Sequence, residues 1–382
     1  MEQKNEWNQK EQYLRERRHV VWHAFASFCI TPKMQDAVLA YFETPENAVK
    51  GTEKEWSTFF LLAESLGVTP GEKEKIIQVL KRDHDKEYEK ITQAGISFVI
   101  QEDESYPEKL KKLYSAPRFF YYKGVIPGEE PVIAIIGARK CSPYGSDTAW
   151  RVAKELAEQG VGVISGLAYG VDKAAHDGAL AGGGKTYAVL GCGADVCYPK
   201  NHYPTYEKIL STGGGIISEY PPGTQPLSCF FPQRNRIIAG LSDGILVTEA
   251  RKKSGTLITV SFGLEYGKNI YAVPGRIDDV LSEGCNYLLK EGAKPVTCGR
   301  DLLEDMDIRI KGIKKGKKKI LPSLTTEEAK VYGCLAYQFK HMDEIAEKTG
   351  TEPWKLAMLL DDLTQKGCIK RQGQAYYAKA TE

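Results

Sequence analysis

The chain has 382 residues, of which 42% are hydrophobic and 27% charged, and its formal net charge is only +2. This composition is that of a soluble globular protein with two or three domains, and the near-neutral charge excludes a protein that attracts nucleic acid over its whole surface. Any basic site must therefore be local. The nine cysteines form no CxxC pair, and no apolar segment is long enough to span a membrane, so we expect a reduced, cytoplasmic protein.

Residues 1–100 contain apolar clusters at helical spacing, such as VVWHAFASF and MQDAVLAYF, with Pro- and Gly-containing turns between them. They predict a small helical domain. From about 130 to 300, short β-branched runs alternate with helical segments: VIAIIG, GVGVISG, TYAVLG, GIISEY, GILVTEA and NIYAVPG. The alternation predicts an α/β fold with a mostly parallel open sheet, and we place this domain at 101–308.

The segment KGIKKGKKKI contains six lysines and predicts a flexible linker at 309–320. Residues 321–382 then show three helical segments and a terminal hairpin, which predict a winged-helix domain. Its presumptive recognition helix, EPWKLAMLLDDLTQKG, offers Lys355 and Lys366 but also Asp361 and Asp362. A helix that reads bases presents more basic and amide groups, so we expect protein contact or weak backbone binding here.

Ligands of open α/β sheets bind outside the carboxyl ends of the strands, and here those ends are followed by small, hydroxylated and cationic residues. Such residues suit phosphate. The dinucleotide fingerprint is absent, because GARKCSPYG places Arg139 where the tightest glycine turn would come. An extended, multi-phosphate backbone tolerates that bulk better than a pyrophosphate does.

Structural explanations stay open for several of these residues. One of Arg234 and Arg236 can pair with Glu219 or Glu249, and the two glutamates could instead serve as acid and base, although no nucleophile accompanies them.

Asp172 has the position of a helix N-cap. His176 lies one helical turn further and lacks a third metal ligand, so we expect a structural role for it. Phe230 is expected in the core, whereas Phe231 suits either the core or base stacking.

Ordered motifs between about 130 and 300 resemble the DNA-processing protein A family, also called DprA or Smf. They include GARKCSPYG, SGLAYGVDKAAHDGAL, FPQRNRIIAGLSDGILVTEA and SEGCNYLLKEGA. The resemblance implies an extended Rossmann-like domain, preceded by a sterile-alpha-motif-like (SAM-like) helical domain. It also implies a homodimeric protein that acts in natural transformation, where it protects incoming single-stranded DNA and loads the recombinase RecA onto that DNA. Single-strand-binding protein is a further candidate partner, whereas catalysis, a cofactor and a bound metal are not expected.

The family's G-S/T-R element falls on Gly137, Ala138 and Arg139, and its R-N-R element falls on 234–236. Some relatives carry a lysine where this chain has Ser228. Dimerisation in the family points to Leu288 and Leu289, which equally fit a buried helix. Strand-end position and resemblance together give these candidate DNA-binding residues: Gly137, Arg139, Lys140, Ser142, Tyr144, Gly145, Ser165, Gly166, Lys200, Phe231, Arg234, Asn235, Arg236, Ser254, Gly255 and Thr256.

The main alternative is a nucleotide-binding or nucleotide-hydrolysing Rossmann-like protein of the lysine-decarboxylase-like superfamily. Those enzymes use P-G-G-x-G-T-x-x-E with a catalytic glutamate, and the comparable segment here is KKSGTLIT, with Thr259 at that position. The exchange removes the acid–base group and so argues against hydrolysis. A transcription factor is the weakest alternative, because it leaves the strand-end residues unexplained.

Overall fold

A computed structural model describes residues 2–308, 324–336, 339–373 and 375–380. The chain divides into two compact units, residues 1–309 and 310–382, and each is described by itself. The lysine-rich linker predicted at 309–320 lies outside the described residues. Among the helices of the described part, none is long and apolar enough to cross a membrane.

The first unit begins with helices, four of which start at threonine caps. Their bounds are α1 Glu2–Ala26, α2 Pro32–Phe42, α3 Pro45–Lys50, α4 Glu53–Leu62, α5 Pro70–Leu80 and α6 His84–Gln93. Thr52 and Thr69 complete capping boxes with Glu55 and Glu72, which satisfy the free N–H groups at the starts of α4 and α5. The predicted helical N-terminal region is therefore present.

These helices share one apolar core with the edge of the sheet. Trp56, Phe25 and Phe59 from the helices belong to the same buried cluster as Phe98 and Tyr121 from the sheet. The sheet itself starts at β1, Ser97–Ile100, just before the boundary predicted at residue 101. Helices and sheet consequently form one compact unit rather than two.

The nine-stranded sheet has the order β1-β2-β6-β5-β4-β3-β7-β8-β9. Its strands are β1, β2 Phe119–Gly124, β3 Val132–Ile136, β4 Gly162–Ser165, β5 Thr186–Leu190, β6 Gly215–Ser218, β7 Gly244–Val247, β8 Asn269–Ala272 and β9 Lys294–Pro295. Strands β3 to β9 pair in parallel, whereas β1 and β2 add an antiparallel extension beside β6. The mostly parallel α/β fold predicted from the sequence is confirmed.

The connecting helices are α7 Glu108–Lys111, α8 Pro143–Glu158, α9 Val171–Ala181, α10 Tyr203–Ser211, α11 Phe230–Leu241, α12 Thr256–Glu265, α13 Glu283–Lys290 and α14 Gly299–Asp305. From β3 the chain builds β4, β5 and β6 on one side, and α11 then carries it back to β7 on the other side. The connections that follow β3 and β7 therefore run to opposite sides in the strand order, and open α/β sheets bind ligands at the carboxyl edge beside such a point.

The second unit contains α15 Thr326–Cys334, β10 Lys340–His341, α16 Met342–Thr349, α17 Pro353–Gln365, β11 Ile369–Gln372 and β12 Tyr376–Lys379. The three predicted helices and the hairpin are present, and β10 adds a third strand in the order β10-β12-β11. Lys355 and Lys366 of the presumptive recognition helix pair with Glu327 and Glu328 of α15. The protein-contact role expected for this helix stays a prediction.

Candidate nucleic-acid interface

The carboxyl edge of the sheet carries exposed cations on several loops. Arg139 and Lys140 follow β3, Lys200 follows β5, and Arg276 follows β8. The loop after β7 adds the exposed run 251–253, Arg-Lys-Lys, which the sequence analysis did not assign to the site. Because parallel strands end at the same edge, these cations lie on loops at one edge of the sheet of a nearly neutral chain.

One of these cations lies on an aromatic pair. The guanidinium carbon of Arg139 is 5.2 Å from the ring centroid of Phe231, and the Tyr198 ring centroid is 5.8 Å from the same ring. Gly191 lies against Phe231, where a Cβ atom would come within 2.9 Å of the ring. We call Arg139, Tyr198 and Phe231 the Arg139 platform. It offers a charge for phosphate beside π-faces for bases, and Tyr198 is 43% exposed.

Tyr198 was not a sequence candidate, although it lies two residues before the candidate Lys200. Phe231 is half-buried, and base stacking on its ring stays a prediction. Phe230 is in the core, where its ring stacks on Tyr220 with 4.0 Å between centroids.

Arg234 is buried beneath the loop that follows β4. Its Nη1 donates to the carbonyl oxygens of Gly166, at 2.9 Å, and of Val189. Asp172 holds the same loop from the other side, since its carboxylate accepts from the N–H groups of Gly166 at 3.1 Å and Ala168 at 3.4 Å. Burial raises the pKa of Asp172, and the charge of Arg234 opposes that shift.

The predicted N-cap role of Asp172 is wrong. Helix α9 begins at Val171 with Gly170 as its cap, and Asp172 lies inside the first turn. Its short carboxylate reaches back to the loop rather than to the helix.

Arg236 pairs with Glu219, which is one of the alternatives that the sequence left open. Its Nη2 donates to both carboxylate oxygens at 2.6 and 2.7 Å, and the two side chains are only 6% and 7% exposed. Arg234 and Arg236 are thus both bonded within the protein and shielded from solvent. We assign them positioning roles, and a direct phosphate contact by either one stays an untested prediction.

Glu249 occupies the N-terminal end of α8. Its carboxylate accepts from the Ser142 N–H at 2.8 Å and from the Ser142 hydroxyl at 2.5 Å. The Ser142 oxygen in turn accepts from the Gly145 N–H at 3.2 Å, and a side chain at Gly145 would overlap the Glu249 carboxylate. Dinucleotide-binding folds hold phosphate at this helix end. A protein carboxylate already lies there, which disfavours the nucleotide-binding alternative.

Other candidates also make internal bonds. The Ser165 hydroxyl donates to Ile135 O at 2.7 Å, and the Thr256 hydroxyl donates to Gly137 O at 3.2 Å. The Tyr144 hydroxyl donates to Pro274 O at 3.0 Å, which leaves its ring exposed at the rim. Asn235 and Ser254 are half-buried, and the exposed Gly255 caps α12.

His176 has the structural role expected for it. Its Nδ1 lies 2.7 Å from the Thr186 hydroxyl, and burial lowers its pKa to about 3. The imidazole is therefore neutral at physiological pH.

Leu288 belongs to the buried core of the sheet unit, and Leu289 packs against that core. The buried-helix explanation describes both residues. Because a core side chain cannot also form a shared surface, Leu288 is not available to a dimer interface in this structure.

The chain is similar in sequence and in fold to known proteins. The profile of a family described as DNA recombination-mediator protein A matches residues 97–307. The chain is 43% identical to DNA processing protein DprA of Streptococcus pneumoniae over 235 residues, which are 61% of this chain and 81% of that protein. It is 36% identical to Protein Smf of Synechocystis over 60% of this chain and 59% of Smf.

An X-ray structure of DprA from Streptococcus pneumoniae superposes with a TM-score of 0.59 at 35% identity. The match covers 74% of this chain and 95% of that one. The matched profile includes the whole nine-stranded sheet and its carboxyl-edge loops. The chain therefore belongs to the DNA recombination-mediator protein A family.

Proposed function

We propose that this protein binds single-stranded DNA along the carboxyl edge of its sheet, protects it, and delivers the recombinase RecA to it during DNA uptake. The Arg139 platform carries the proposal, because it combines an exposed cation with aromatic faces. Bases of a duplex are stacked on one another, so only a single strand can lay its bases on such a surface. The basic loops after β5, β7 and β8 extend the surface along a phosphate backbone.

We propose further that the protein acts by binding and not by catalysis. Both glutamates considered as acid and base are engaged, Glu219 by Arg236 and Glu249 by Ser142. Thr259 stands at the position of the glutamate in the related hydrolases and is buried. Incubation with nucleoside monophosphates and with labelled oligonucleotides should leave both intact, and release of base or nucleotide would contradict this part.

The partners proposed with this function are RecA, single-strand-binding protein and a second copy of the chain, all in the cytoplasm. For the dimer, exposed apolar side chains near α13 suit an interface better than Leu288 does. Ile277 is 88% and Val280 is 51% exposed. Exposed apolar groups that lie close together favour association.

The first test compares two cations at the carboxyl edge of the sheet with one at the opposite edge. Alanine at Arg139 or Lys200 should weaken binding of labelled oligo-dT roughly tenfold, as expected for loss of one charge-assisted contact. Each change should also reduce the slope of log K against log salt by about 0.7. Lys185→Ala is the matched control, since Lys185 is exposed and directly precedes β5 at the opposite edge. Fluorescence anisotropy at several salt concentrations measures both quantities, and equal losses in all three variants would refute the assignment of the site.

The second test concerns stacking on Tyr198. Tyr198→Ala should weaken oligo-dT binding by ~1–3 kcal/mol, the usual contribution of one base on an aromatic ring. An oligonucleotide of the same length without bases should bind the variant and the parent equally, because only the stacking contact is lost. A similar loss with the abasic strand would mean that Tyr198 acts through the backbone or through the fold.

The RecA step has its own readout. RecA hydrolyses ATP when it forms filaments on single strands. Single-strand-binding protein that coats the DNA delays the start of this hydrolysis. The protein should shorten that delay on coated DNA, and Arg139→Ala should shorten it less. Normal DNA binding with an unchanged delay would reject the delivery role and leave the binding role standing.

A further inference from the structure

Three potential metal ligands converge where the N-terminal helices meet the sheet. They are His23 of α1 with His84 and Glu87 of α6, and their ligand atoms all lie within 4.8 Å of one another. Glu87 Oε2 is 3.2 Å from His84 Nδ1 and 3.9 Å from His23 Nε2. This cluster is on the helical side of the unit and contains none of the DNA-binding candidates.

The cluster leaves one ligand atom without a partner. Among the described residues, His23 Nε2 has no hydrogen-bond partner, although the atom is buried. His23 as a whole is only 2% exposed. A buried polar nitrogen without a partner is costly, and native proteins rarely keep one without a reason.

Tyr121 fixes how His23 is presented. The Tyr121 hydroxyl lies 2.7 Å from His23 Nδ1 and comes from the fully buried middle of β2. With Nδ1 engaged there, Nε2 is the nitrogen that faces Glu87. Metal-binding histidines are usually held this way, by a hydrogen bond at the other ring nitrogen.

Neither protonation state of His23 gives its Nε2 a hydrogen bond to Glu87. If His23 Nε2 lacks a proton, its lone pair faces the Glu87 carboxylate. If it carries one, 3.9 Å is too long for a hydrogen bond. The other carboxylate oxygen, Oε1, lies 3.7 Å from Arg82 Nη1, so Oε2 is the oxygen left for the histidines.

We propose that His23, His84 and Glu87 bind a divalent cation of the zinc type, with water as the fourth ligand. Two imidazoles and one carboxylate are ligands that zinc and cobalt prefer, whereas magnesium and calcium need more oxygen atoms. Neighbouring ligand atoms of a tetrahedral zinc site are about 3.3 Å apart, given bonds of about 2.0–2.2 Å. The 3.2 Å pair already fits, and a small inward shift of His23 completes the set.

The cation would fasten α6 to α1 and, through Tyr121, to β2. Its role is structural, because the site lies at the junction between the helices and the sheet. Binding to the folded chain alone would raise stability with metal concentration.

The experiment titrates the full chain with Co²⁺ after treatment with EDTA. One equivalent should produce the visible absorption of a tetrahedral site without the near-ultraviolet band of cobalt bound to thiolate, and Zn²⁺ should remove it. Absence of the thiolate band would show that none of the nine cysteines binds the cobalt. Zn²⁺ should also raise Tm relative to EDTA.

Variants locate the site. His84→Ala and Glu87→Gln should weaken Co²⁺ binding at least tenfold and abolish the rise in Tm. His341→Ala is the matched control, since His341 Nδ1 lies 3.2 Å from the Asp343 carboxylate and the described residues add no third ligand there. Tyr121→Phe removes only the hydroxyl and should weaken binding about 10- to 100-fold. Because Tyr121→Phe keeps all three ligands, it still tests the site if a ligand variant does not fold in EDTA.

Absence of the visible band, presence of the thiolate band, or unchanged binding in Tyr121→Phe and the ligand variants would overturn the proposal. The last outcome would mean an adventitious ion only.

Discussion

Replacing Arg234 with alanine is expected to lower the free energy of unfolding by about 3–5 kcal/mol, the usual cost of leaving a buried charge without its partner. The change removes the donor to Gly166 O and Val189 O and leaves Asp172 without the opposing charge. Urea unfolding followed by circular dichroism measures the loss. Single-stranded DNA binding should fall with it, because the loop after β4 loses its anchor.

The pH dependence of stability in Arg234→Ala shows whether the buried charge of Asp172 causes the loss. Burial raises the pKa of Asp172, and loss of Arg234 raises it further. The folded variant therefore takes up a proton at a pH where the unfolded chain does not, and folding gains stability as pH falls toward the ordinary carboxyl range. The deficit against the parent should be largest at neutral pH and shrink in mild acid.

Arg139→Ala is the matched comparison for Arg234→Ala. Arg139 is exposed, so its loss should change unfolding by less than about 0.5 kcal/mol while it weakens DNA binding. If Arg234→Ala unfolded like the parent and lost only DNA affinity, Arg234 would be a contact residue and our positioning role would be wrong.

Breaking the buried pair of Arg236 and Glu219 is expected to have a comparable effect. Arg236→Met leaves the Glu219 carboxylate buried without its two hydrogen bonds, which should cost about 3–5 kcal/mol of unfolding free energy. Glu219→Leu should be similarly destabilising, since it leaves the Arg236 guanidinium buried without an opposite charge.

The double variant Arg236→Met/Glu219→Leu tests the pair as a unit. It should recover most of the stability, because replacing a whole buried ion pair by apolar groups is often neutral. Unfolding of all four chains gives a double-mutant cycle. Additive losses would show that the two residues act separately, and the bond in the structure would then not explain their burial.

The site thus has two layers with different consequences. Arg234, Arg236 and Glu249 hold the strand-end loops from inside, and their variants should report mainly on folding. Arg139 and Tyr198 lie outside, and their variants should report on DNA. A binding assay alone does not separate the layers, so each variant needs an unfolding measurement beside it.

The sequence by itself determined the α/β alternation, the parallel strands from β3 to β8, and the edge where the loops gather. Those features follow from local periodicity and from the rule that parallel strands end together. Family motifs in the sequence also pointed to the loops that the profile match covers. The antiparallel extension by β1 and β2 was not predicted, because strands of 4 and 6 residues are too short to show a distinctive periodicity.

Only the tertiary structure decided which group each polar side chain meets. Arg234 bonds to carbonyl oxygens 68 and 45 residues away, and Ser142 bonds to Glu249 across 107 residues. Sequence spacing cannot rank such partners, because the choice depends on which atoms packing brings within hydrogen-bond distance. The same reason hid the cluster of His23, His84 and Glu87, whose members become neighbours only after α6 packs beside α1.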